Sequence, residues 1–540
     1  MKERRMSVVA RSAAYLIATL SLVVTSLAVV ITPKSSEAKR PNVSLRIEDS
    51  LLTESRDDNQ NGDPRDDNYQ LAINRLNVIG DIYGVTLISR LDTMYFHSPP
   101  TDDFKTTWAS LERLQLKKRW RPAKRTRLTL QLGDFYHRLG EGIILSLARL
   151  NELQFDVALR GAKASLRRGK LETIAFGGVT NVVNVDMVSM HHIEDRDDII
   201  VGGETKYRLR RGAIGAMYAY MQPQDQEIDR LKLSDATSSG GLYFTSRHLD
   251  ALNVYLELDA QQRRLAEGVQ DGTAVYSRFN FLFDRTTILS EWLWLNDFQQ
   301  RGSQNTSLGS RFNYNLGPNL ERIDQEVVEL FDVMGTRLRL EQELLERKLT
   351  LHVNALYRLN KPDDPMETTQ YHGFGGFDWK FGGASPEGGA GDASSSKVAL
   401  SGGHRVDIQG GYINRVWSHA EGGVEHSWSG FTVSVKTLMQ RIQVEQQPFF
   451  TRGSTNFGLD KSGLGSVGFE WGIDTQNPKA GVRQHFYAGT VKWVVADFLT
   501  LQGLVGSRRG GIRCIAGVCR DFPELSGYQL QLVFNHNLNF

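Results

Sequence analysis

Oxygen-bearing side chains that could bind a calcium ion lie at alternate positions around Gly62. They are Asp57, Asn59, Asn61 and Asp63. This spacing matches the first half of a calcium-binding loop, in which carboxylate and amide oxygens surround the ion. The twelfth position, where a bidentate glutamate belongs, is Asn68, so a complete EF-hand is excluded. A looser calcium site and a solvated acidic loop are the two interpretations left, and the sequence predicts no other cofactor.

The segment His191–Asp198 combines histidines with carboxylates, which are ligands for a divalent transition metal. Nothing in the sequence fixes these side chains on a rigid element. A polar loop is therefore the favoured interpretation.

Nucleophilic catalysis needs a serine, a histidine and an orienting acid that converge on one point. Ser401, His404 and Asp407 are close in sequence, but no G-x-S-x-G elbow is present and the twelve histidines are scattered. The sequence therefore predicts that the protein is not an enzyme.

The two cysteines, Cys514 and Cys519, are separated by four residues. They form no CxxC redox motif and are too few for a typical metal site. Outside the cytoplasm, a small disulfide-closed loop is the expected state, and two free thiols are the alternative.

The elements that must position these residues are β-strands, because apolar and polar residues alternate through most of the chain after residue 42. In Leu252–Leu258 and Leu349–Leu359, every second residue is apolar. Successive side chains of a strand point to opposite faces, so each segment has one apolar and one polar face. Soluble sandwiches share this alternation, so it does not by itself identify a membrane barrel.

Strand length and connection length separate the two classes. The alternating segments run to about ten residues, enough to cross a bilayer at a tilt of about 45°, whereas soluble strands average about 5–6 residues. Short connections such as Leu345–Lys348 alternate with long polar ones such as His137–Gln154, Asn181–Ile200 and Gln261–Gly272. Short periplasmic turns and long outer loops are typical of transmembrane barrels.

The chain ends in an alternating segment whose apolar phase finishes at the last residue, Phe540. A terminal phenylalanine on such a strand resembles the signal that the barrel-assembly machinery of Gram-negative bacteria reads, so that machinery is an expected partner during biogenesis. The residues of the predicted assembly signal are Tyr528, Phe534, Leu538 and Phe540.

The N-terminus predicts export. Basic residues precede an apolar run from Ala13 to Ile31, and Ser36-Glu37-Ala38 offers small residues at the cleavage-site positions. A signal peptide over residues 1–38 is the favoured interpretation, and a single membrane anchor is the alternative. Residues 39–540 are then expected to form one barrel in contact with the lipid of the bacterial outer membrane.

The predicted fold is all-β, a large single transmembrane antiparallel β-barrel of about 20–24 strands. Because lipid offers no hydrogen-bond partners, the first strand near Val43 must pair with the last strand near Tyr528. The first strand follows the proposed cleavage site within about four residues, so no plug domain is expected. Two stretches are ambiguous: Ile323–Leu344 could be helical, and Gly382–Lys397 has the composition of a flexible loop.

The polar phase of the strands predicts a charged lumen in which basic residues outnumber acidic ones. Such a lumen favours anions modestly, unless the charges pair across strands and brace the wall. The overall charge of +2 is too balanced for a nucleic-acid surface. The candidate lumen residues are Arg46, Arg90, Arg127, Lys163, Arg167, Arg208, Arg278, Arg337, Arg339 and Arg358.

Three segments resemble a porin-like family of outer-membrane β-barrel proteins from Gram-negative bacteria. They are Leu132–Tyr136 with the motif Gly-Asp-Phe-Tyr, the glycine-containing Gly140–Leu147, and Leu159–Ala162 with an Arg-Gly pair. The Cys514–Cys519 loop, flanked by glycines and Arg520, is similar to the last outer loop of that family. The resemblance implies the barrel but no particular solute.

These observations predict a porin-like channel for polar solutes whose outer loops constrict the lumen. The alternative is a structural or partner-docking barrel of a surface, secretion or motility assembly, with a periplasmic or surface protein as its partner.

Overall fold

The computed structural model describes residues 43–539, with gaps at 60–66, 102–103, 151–152, 154, 187–191, 194, 196, 225–235, 266–267, 306–309, 323–331, 362–366, 383–393, 477–482 and 516–517. The predicted signal peptide, residues 1–38, lies outside this part of the chain.

Twenty-four strands form the wall of one antiparallel barrel. The wall strands are β1 (Val43–Arg56), β2 (Tyr69–Ile82), β3 (Val85–Ser98), β4 (Thr107–Ala123), β5 (Thr126–Phe135), β9 (Phe155–Arg168), β10 (Leu171–Val182), β11 (Ile199–Leu209), β12 (Gly212–Gln222), β13 (Thr237–Leu249), β14 (Leu252–Leu265), β15 (Gly268–Leu282), β16 (Thr286–Asn296), β19 (Val333–Leu344), β20 (Leu349–Asn360), β21 (Thr368–Gly382), β22 (Ser395–Gln409), β23 (Tyr412–Trp428), β24 (Phe431–Val444), β25 (Phe450–Lys461), β26 (Gly465–Asp474), β27 (His485–Ala496), β28 (Leu499–Arg508) and β31 (Leu525–Asn539). Shorter strands lie in the connections: β6 (His137–Leu139), β7 (Leu145–Leu147), β8 (Arg149–Leu150), β17 (Arg301–Asn305), β18 (Ser310–Asn313), β29 (Gly511–Ile515) and β30 (Val518–Phe522).

The barrel closes because its first and last strands pair. β1 pairs with β2 on one side and with β31 on the other, in a register that runs from Ser44 opposite Asn539 to Arg56 opposite Gly527. An open edge in hydrocarbon would leave backbone groups without partners, at a cost of roughly several kcal/mol each. The closure predicted from the sequence is confirmed, and the strand count lies at the upper end of the predicted range.

Each wall strand presents one face to the membrane and one to the lumen. On β5, Leu130 and Leu132 are 36% and 55% exposed on the outer face, whereas Gln131 points inward. The register continues this division on β4, where Leu116 is opposite Leu132 and Lys117 is opposite Gln131. The exposed leucines therefore form the surface that meets hydrocarbon.

Tight turns join most strand pairs at one end of the barrel, and longer connections join most pairs at the other. In the turn between β2 and β3, Tyr83 and Gly84 have positive φ angles of 50° and 72°, a conformation that glycine adopts at no steric cost. The short turns define the periplasmic end in this class of barrel.

The structure decides one ambiguous stretch and corrects two expectations. Val333–Leu344, for which the sequence left a helix open, forms β19, and Ser395–Lys397, expected as loop, begin β22. Most of Gln261–Gly272, expected as a long connection, is strand. In each case pairing with neighbouring strands overrides local composition, since a closed wall requires every backbone group to be paired. The intervening residues 323–331 and 383–393 lie outside the described part of the chain.

The largest buried cluster lies inside the barrel, where connections fold against the inner face. It joins hairpin residues Leu139, Ile144 and Leu145 to wall residues such as Tyr255 and Tyr276. Burial of each large apolar side chain contributes roughly 1.5–3 kcal/mol. All described residues belong to the wall or to its connections, so this part of the chain contains no separate plug domain.

No helix among the described residues is both long enough and apolar enough to span a membrane.

Candidate functional site: a charged lumen

The ten basic residues predicted for the lumen lie on the inward phase of their strands, and their surroundings differ. Arg127 is directly opposite Arg167, which on its other side is opposite Glu172. The strands place Arg46 on β1, Arg90 on β3, Arg127 on β5, Lys163 and Arg167 on β9, Arg208 on β11, Arg278 on β15, Arg337 and Arg339 on β19, and Arg358 on β20.

The β6–β7 hairpin folds into the barrel and is held by charged side chains of β14 and β15. Glu141, at its tip, donates its backbone N–H to Glu257 Oε2 at 2.9 Å and accepts a hydrogen bond from Arg278 Nη2 at 3.0 Å. Gly140 has a φ of 51°, and a Cβ there would lie 2.6 Å from Glu257 Oε2. A glycine at this position therefore lets the hairpin tip approach the wall.

Tyrosine hydroxyls of neighbouring strands donate hydrogen bonds to glutamates on the same wall. These contacts fix the glutamates, and Arg337 Nε also donates to Glu291 Oε2 at 2.6 Å. The alternation places these tyrosines on the polar phase, a signal that sequence reasoning overlooked. The pairs are Tyr243–Glu204, Tyr255–Glu257 and Tyr276–Glu291.

Buried charges also join β3 and β4 to β9. Arg90 donates to Asp92 Oδ1 from Nε at 2.8 Å and to Asp156 Oδ2 from Nη1 at 3.1 Å. Arg113 Nη2 donates to Asp156 Oδ1 at 2.5 Å. These ion pairs join three strands and so brace the wall. Removal of one partner would leave a buried charge uncompensated.

The connection between β10 and β11 folds inward as well. Asn184 donates its backbone N–H to Glu112 Oε2 at 3.2 Å, and Val182 donates its backbone N–H to Asp195 Oδ1 at 2.8 Å. Val185 is buried against the inner wall. Burial raises the pKa of Asp195, and the N–H of Val182 offsets part of that rise.

A third inward connection, between β16 and β19, escaped sequence reasoning. Its Ser303 N–H and Tyr314 hydroxyl donate to Asp198 Oδ2 at 2.9 and 2.8 Å, and Gln224 N–H donates to Asp198 Oδ1 at 2.9 Å. Burial, together with the charge of Asp198, raises the pKa of Tyr314 well above its ordinary value. Asp198 thereby holds three connections together.

The same connection ends in a buried polar cluster on β21–β23. His372 Nδ1 lies 2.7 Å from Glu321 Oε1, and His372 Nε2 lies 3.0 Å from His419 Nε2. Arg405 Nε, beside them, donates to Asp407 Oδ1 at 2.8 Å. Burial alone would raise the pKa of Glu321, but the hydrogen bond from His372 and the charge of Arg405 outweigh it and lower that pKa.

His137 is half-buried where the β6–β7 hairpin leaves the wall, and its Nε2 atom is buried. Its ring lies 4.7 Å from that of Phe176, and among the described residues its Nε2 has no hydrogen-bond partner. Burial, with a smaller effect from the charge of Lys163, lowers the pKa of His137 to about 4. The imidazole is therefore neutral at pH 7.

Two cavities open from the lumen, and they differ in charge. The first, which we call the basic basin, has a volume of about 740 Å³, and none of its described lining residues is acidic; its basic residues are Lys206, Arg208, Arg210, Arg211, Arg247 and Arg278. The second, which we call the paired cavity, has a volume of about 490 Å³ and both signs of charge: Arg322, Lys397 and Lys436 with Asp378, Glu421 and Glu425.

The candidate calcium loop is only partly described. The backbone N–H of Asn59 donates to Asp67 Oδ1 at 2.9 Å, while Asn61 and Asp63 lie outside the described residues. In the part of the chain that the structure describes, no group of three or more potential ligands is placed to hold a metal ion. Calcium binding stays a prediction.

Ser401, His404 and Asp407 do not form a catalytic triad. Strand alternation puts His404 on the face of β22 opposite to that of the other two residues. His404 Nδ1 lies 2.9 Å from Ser418 Oγ, and Asp407 accepts from Arg405.

Two predicted terminal features have defined backbone positions. Cys514 on β29 is directly opposite Cys519 on β30, a register compatible with a disulfide, whose formation stays a prediction. Tyr528, Phe534 and Leu538 share the outer phase of β31, and Phe540 lies outside the described residues.

Comparison with known proteins gives structural similarities alone. No protein family model and no curated protein matches the sequence. The chain is similar to an E. coli P pilus tip assembly intermediate, PapC-PapD-PapK-PapG, with a TM-score of 0.50, 11% identity, and coverage of 94% of this chain and 62% of that one. The siderophore receptor PirA from Pseudomonas aeruginosa gives a TM-score of 0.44, 8% identity, and coverage of 93% and 81%. OccK5 from Pseudomonas aeruginosa gives a TM-score of 0.36 and 12% identity, and the match covers 68% of this chain and 98% of that one.

The closed 24-strand wall places the protein in the class of large bacterial outer-membrane β-barrels. The membership in a porin-like family suggested by Leu132–Tyr136 stays a prediction, because sequence identities this low establish the fold alone.

Proposed function

We propose that the protein is a porin-like channel for polar solutes whose inward connections constrict the lumen. The observation that carries this proposal is the β6–β7 hairpin, which Glu257 and Arg278 anchor on the inner wall beside the basic basin. A wall of 24 strands encloses more space than its own side chains fill. Charged lining side chains replace part of the hydration of a polar solute as it passes.

Conductance across planar lipid bilayers tests the proposal. The purified protein is expected to give steady channels, and Glu141→Ala is expected to raise the open-channel current or its noise, because the hairpin loses its contact with Arg278. Glu445→Gln, in the turn between β24 and β25, is the control and should leave the current unchanged. A folded barrel that never conducts would refute the channel.

The alternative is a docking barrel of a surface, secretion or motility assembly. It is supported by the fold similarity to the P pilus assembly intermediate and by the connections that fill part of the lumen. Electrical silence of the folded barrel, together with co-purification of a stoichiometric periplasmic or surface protein, would favour this alternative.

We further propose that export removes residues 1–38, that the barrel-assembly machinery reads the strand ending at Phe540, and that Cys514 and Cys519 form a disulfide. N-terminal sequencing of the outer-membrane protein should begin at Lys39. Mass spectrometry should give a mass two hydrogens below that of the reduced chain.

A further inference from the structure

We propose that the basic basin binds a soluble, multiply charged anion that bears phosphate groups. The proposal deepens the proposed channel by naming a solute class, and it rests on that channel for its physiological meaning. Binding itself is measurable whether or not the barrel conducts.

The first argument is the imbalance of charge within one cavity. Six cationic side chains and no acidic side chain among the described residues line the basin, whereas the paired cavity has three of each sign. Like charges that converge in a partly enclosed space raise each other's energy, and a bound anion relieves that repulsion. The paired cavity has no such excess.

Existing ion pairs neutralise only part of the basin. Three of its arginines have acidic partners outside the lining: Arg208 with Glu172 at 2.6 Å, Arg211 with Asp250 at 3.4 Å, and Arg278 with Glu141 at 3.0 Å. Lys206, Arg210 and Arg247 form no ion pair with any other described residue. The Lys206 ammonium lies 5.7 Å from the centre of the Tyr243 ring, a contact that supplies no opposing charge.

The neighbouring wall extends the positive surface. Arg127 and Arg167 are directly opposite each other on adjacent strands, an arrangement of like charges that destabilises a sheet unless an anion lies nearby. Glu172, opposite Arg167 on the next strand, is the residue that already pairs with Arg208. The excess of positive charge therefore continues along the inner wall beside the basin.

The residue types favour phosphate. Guanidinium groups bind phosphate oxygens through two parallel hydrogen bonds, and five of the six cations are arginines. A volume of about 740 Å³ lies in the range of sites for small molecules. Lys206 and Arg208 lie on the face of β11 opposite to that of the exposed Tyr207, and Arg278 on β15 is opposite the buried Tyr255. These three cations therefore point into the lumen, and a solute in the lumen is the expected ligand rather than a lipid headgroup.

Titration calorimetry of the folded protein in a zwitterionic detergent, with pyrophosphate as the probe, tests the proposal. The triple variant Lys206→Gln, Arg210→Gln and Arg247→Gln is expected to weaken binding about tenfold or more, since it removes three charge-assisted contacts. Affinity should also fall as salt is raised, because these side chains are solvent-accessible.

The matched control removes the same amount of charge elsewhere. Arg339→Gln, Lys397→Gln and Lys436→Gln alter cations that pair with Glu341, Asp378 and Glu425. This variant should keep the wild-type affinity within about twofold. Equal losses of affinity in the two triple variants would overturn the proposal, because binding would then depend on the electrostatic field of the whole protein. A wild-type protein that does not bind pyrophosphate would overturn it as well.

Nanodiscs separate the soluble ligand from a lipid headgroup. Pyrophosphate affinity should be the same in phosphatidylcholine and phosphatidylglycerol nanodiscs, whereas suppression by phosphatidylglycerol would assign the basin to lipid and overturn the proposal. A silent barrel that still binds pyrophosphate would refute the channel and leave the site in place.

Discussion

Two parts of the inner wall use the same strand alternation but satisfy their charges differently. The loop-packed half, β5 to β16, carries the inward hairpin and the basic basin. Its Glu257 receives hydrogen bonds from Tyr255 and from the hairpin backbone, and Glu172 pairs with Arg208 on the adjacent strand. The paired half, β20 to β25, matches charges between adjacent strands, as in Lys397–Asp378 at 3.0 Å and Lys436–Glu425 at 2.7 Å.

The difference shows that alternation sets which face a residue occupies but not what it does there. A lumen charge with a partner on the next strand is a bracing element. A lumen charge without such a partner is available to a connection or to a solute. On this reasoning, the loop-packed half is the side on which we propose that a solute binds.

The largest expected effect concerns how closely the strands approach in the loop-packed half. Gly161 is directly opposite Gly133 on one side and Gly178 on the other, and a Cβ at Gly161 would lie 2.0 Å from the Gly177 carbonyl oxygen. Gly161→Ala is therefore expected to destabilise the barrel by about 3 kcal/mol, measured by urea unfolding in micelles.

Gly373 on β21 is the matched control in the paired half, because a Cβ there would meet no atom within 4 Å. Gly373→Ala should change stability by less than about 0.5 kcal/mol. Equal effects at the two glycines would remove the steric basis of the comparison.

The sequence predicted the wall far better than the lumen. The alternation could be predicted because apolar residues such as the leucines of β5 recur locally with a period of two. The closed edge followed from the lack of hydrogen-bond partners in lipid. The partners of Glu141 and Glu321 lie more than 50 residues away, at Glu257 and His372 respectively, and depend on how the connections pack. No local pattern encodes such contacts, so sequence reasoning missed the connection that carries Glu321.

A second prediction concerns acid sensitivity of the loop-packed half. The folded pKa of His137, about 4, lies below its ordinary value of 6.5, so folding favours the neutral imidazole. The folded state therefore loses stability as pH falls through this interval, by at most about 3 kcal/mol between pH 7 and pH 4.

His137→Phe should flatten the dependence of unfolding free energy on pH between 4 and 6.5, because phenylalanine fills the site without titrating. Urea titrations at several pH values measure this slope. A wild-type slope that survives in the variant would mean that another group carries the acid sensitivity.

A third prediction concerns the anchor of the hairpin. Glu257→Ala removes the acceptor of both the Tyr255 hydroxyl and the Glu141 backbone N–H. Leaving these donors without a partner should cost about 1–3 kcal/mol and speed hydrogen exchange of residues 137–147. Exchange in β21–β23 should stay unchanged, and unaltered exchange in the hairpin would show that Glu257 does not hold it.

The smallest expected effect lies in the paired half. The side chains of Lys436 and Glu425 are 63% and 37% exposed, so water and salt screen their attraction. Lys436→Gln should therefore cost about 0.2–1 kcal/mol at low salt, and the difference should vanish in 1 M salt. A cost as large as that of Glu257→Ala, persisting in high salt, would mean that the pair is shielded from water. The paired half would then no longer serve as an example of weak, screened ion pairs. The excess of cations in the basic basin could not be interpreted by comparison with it.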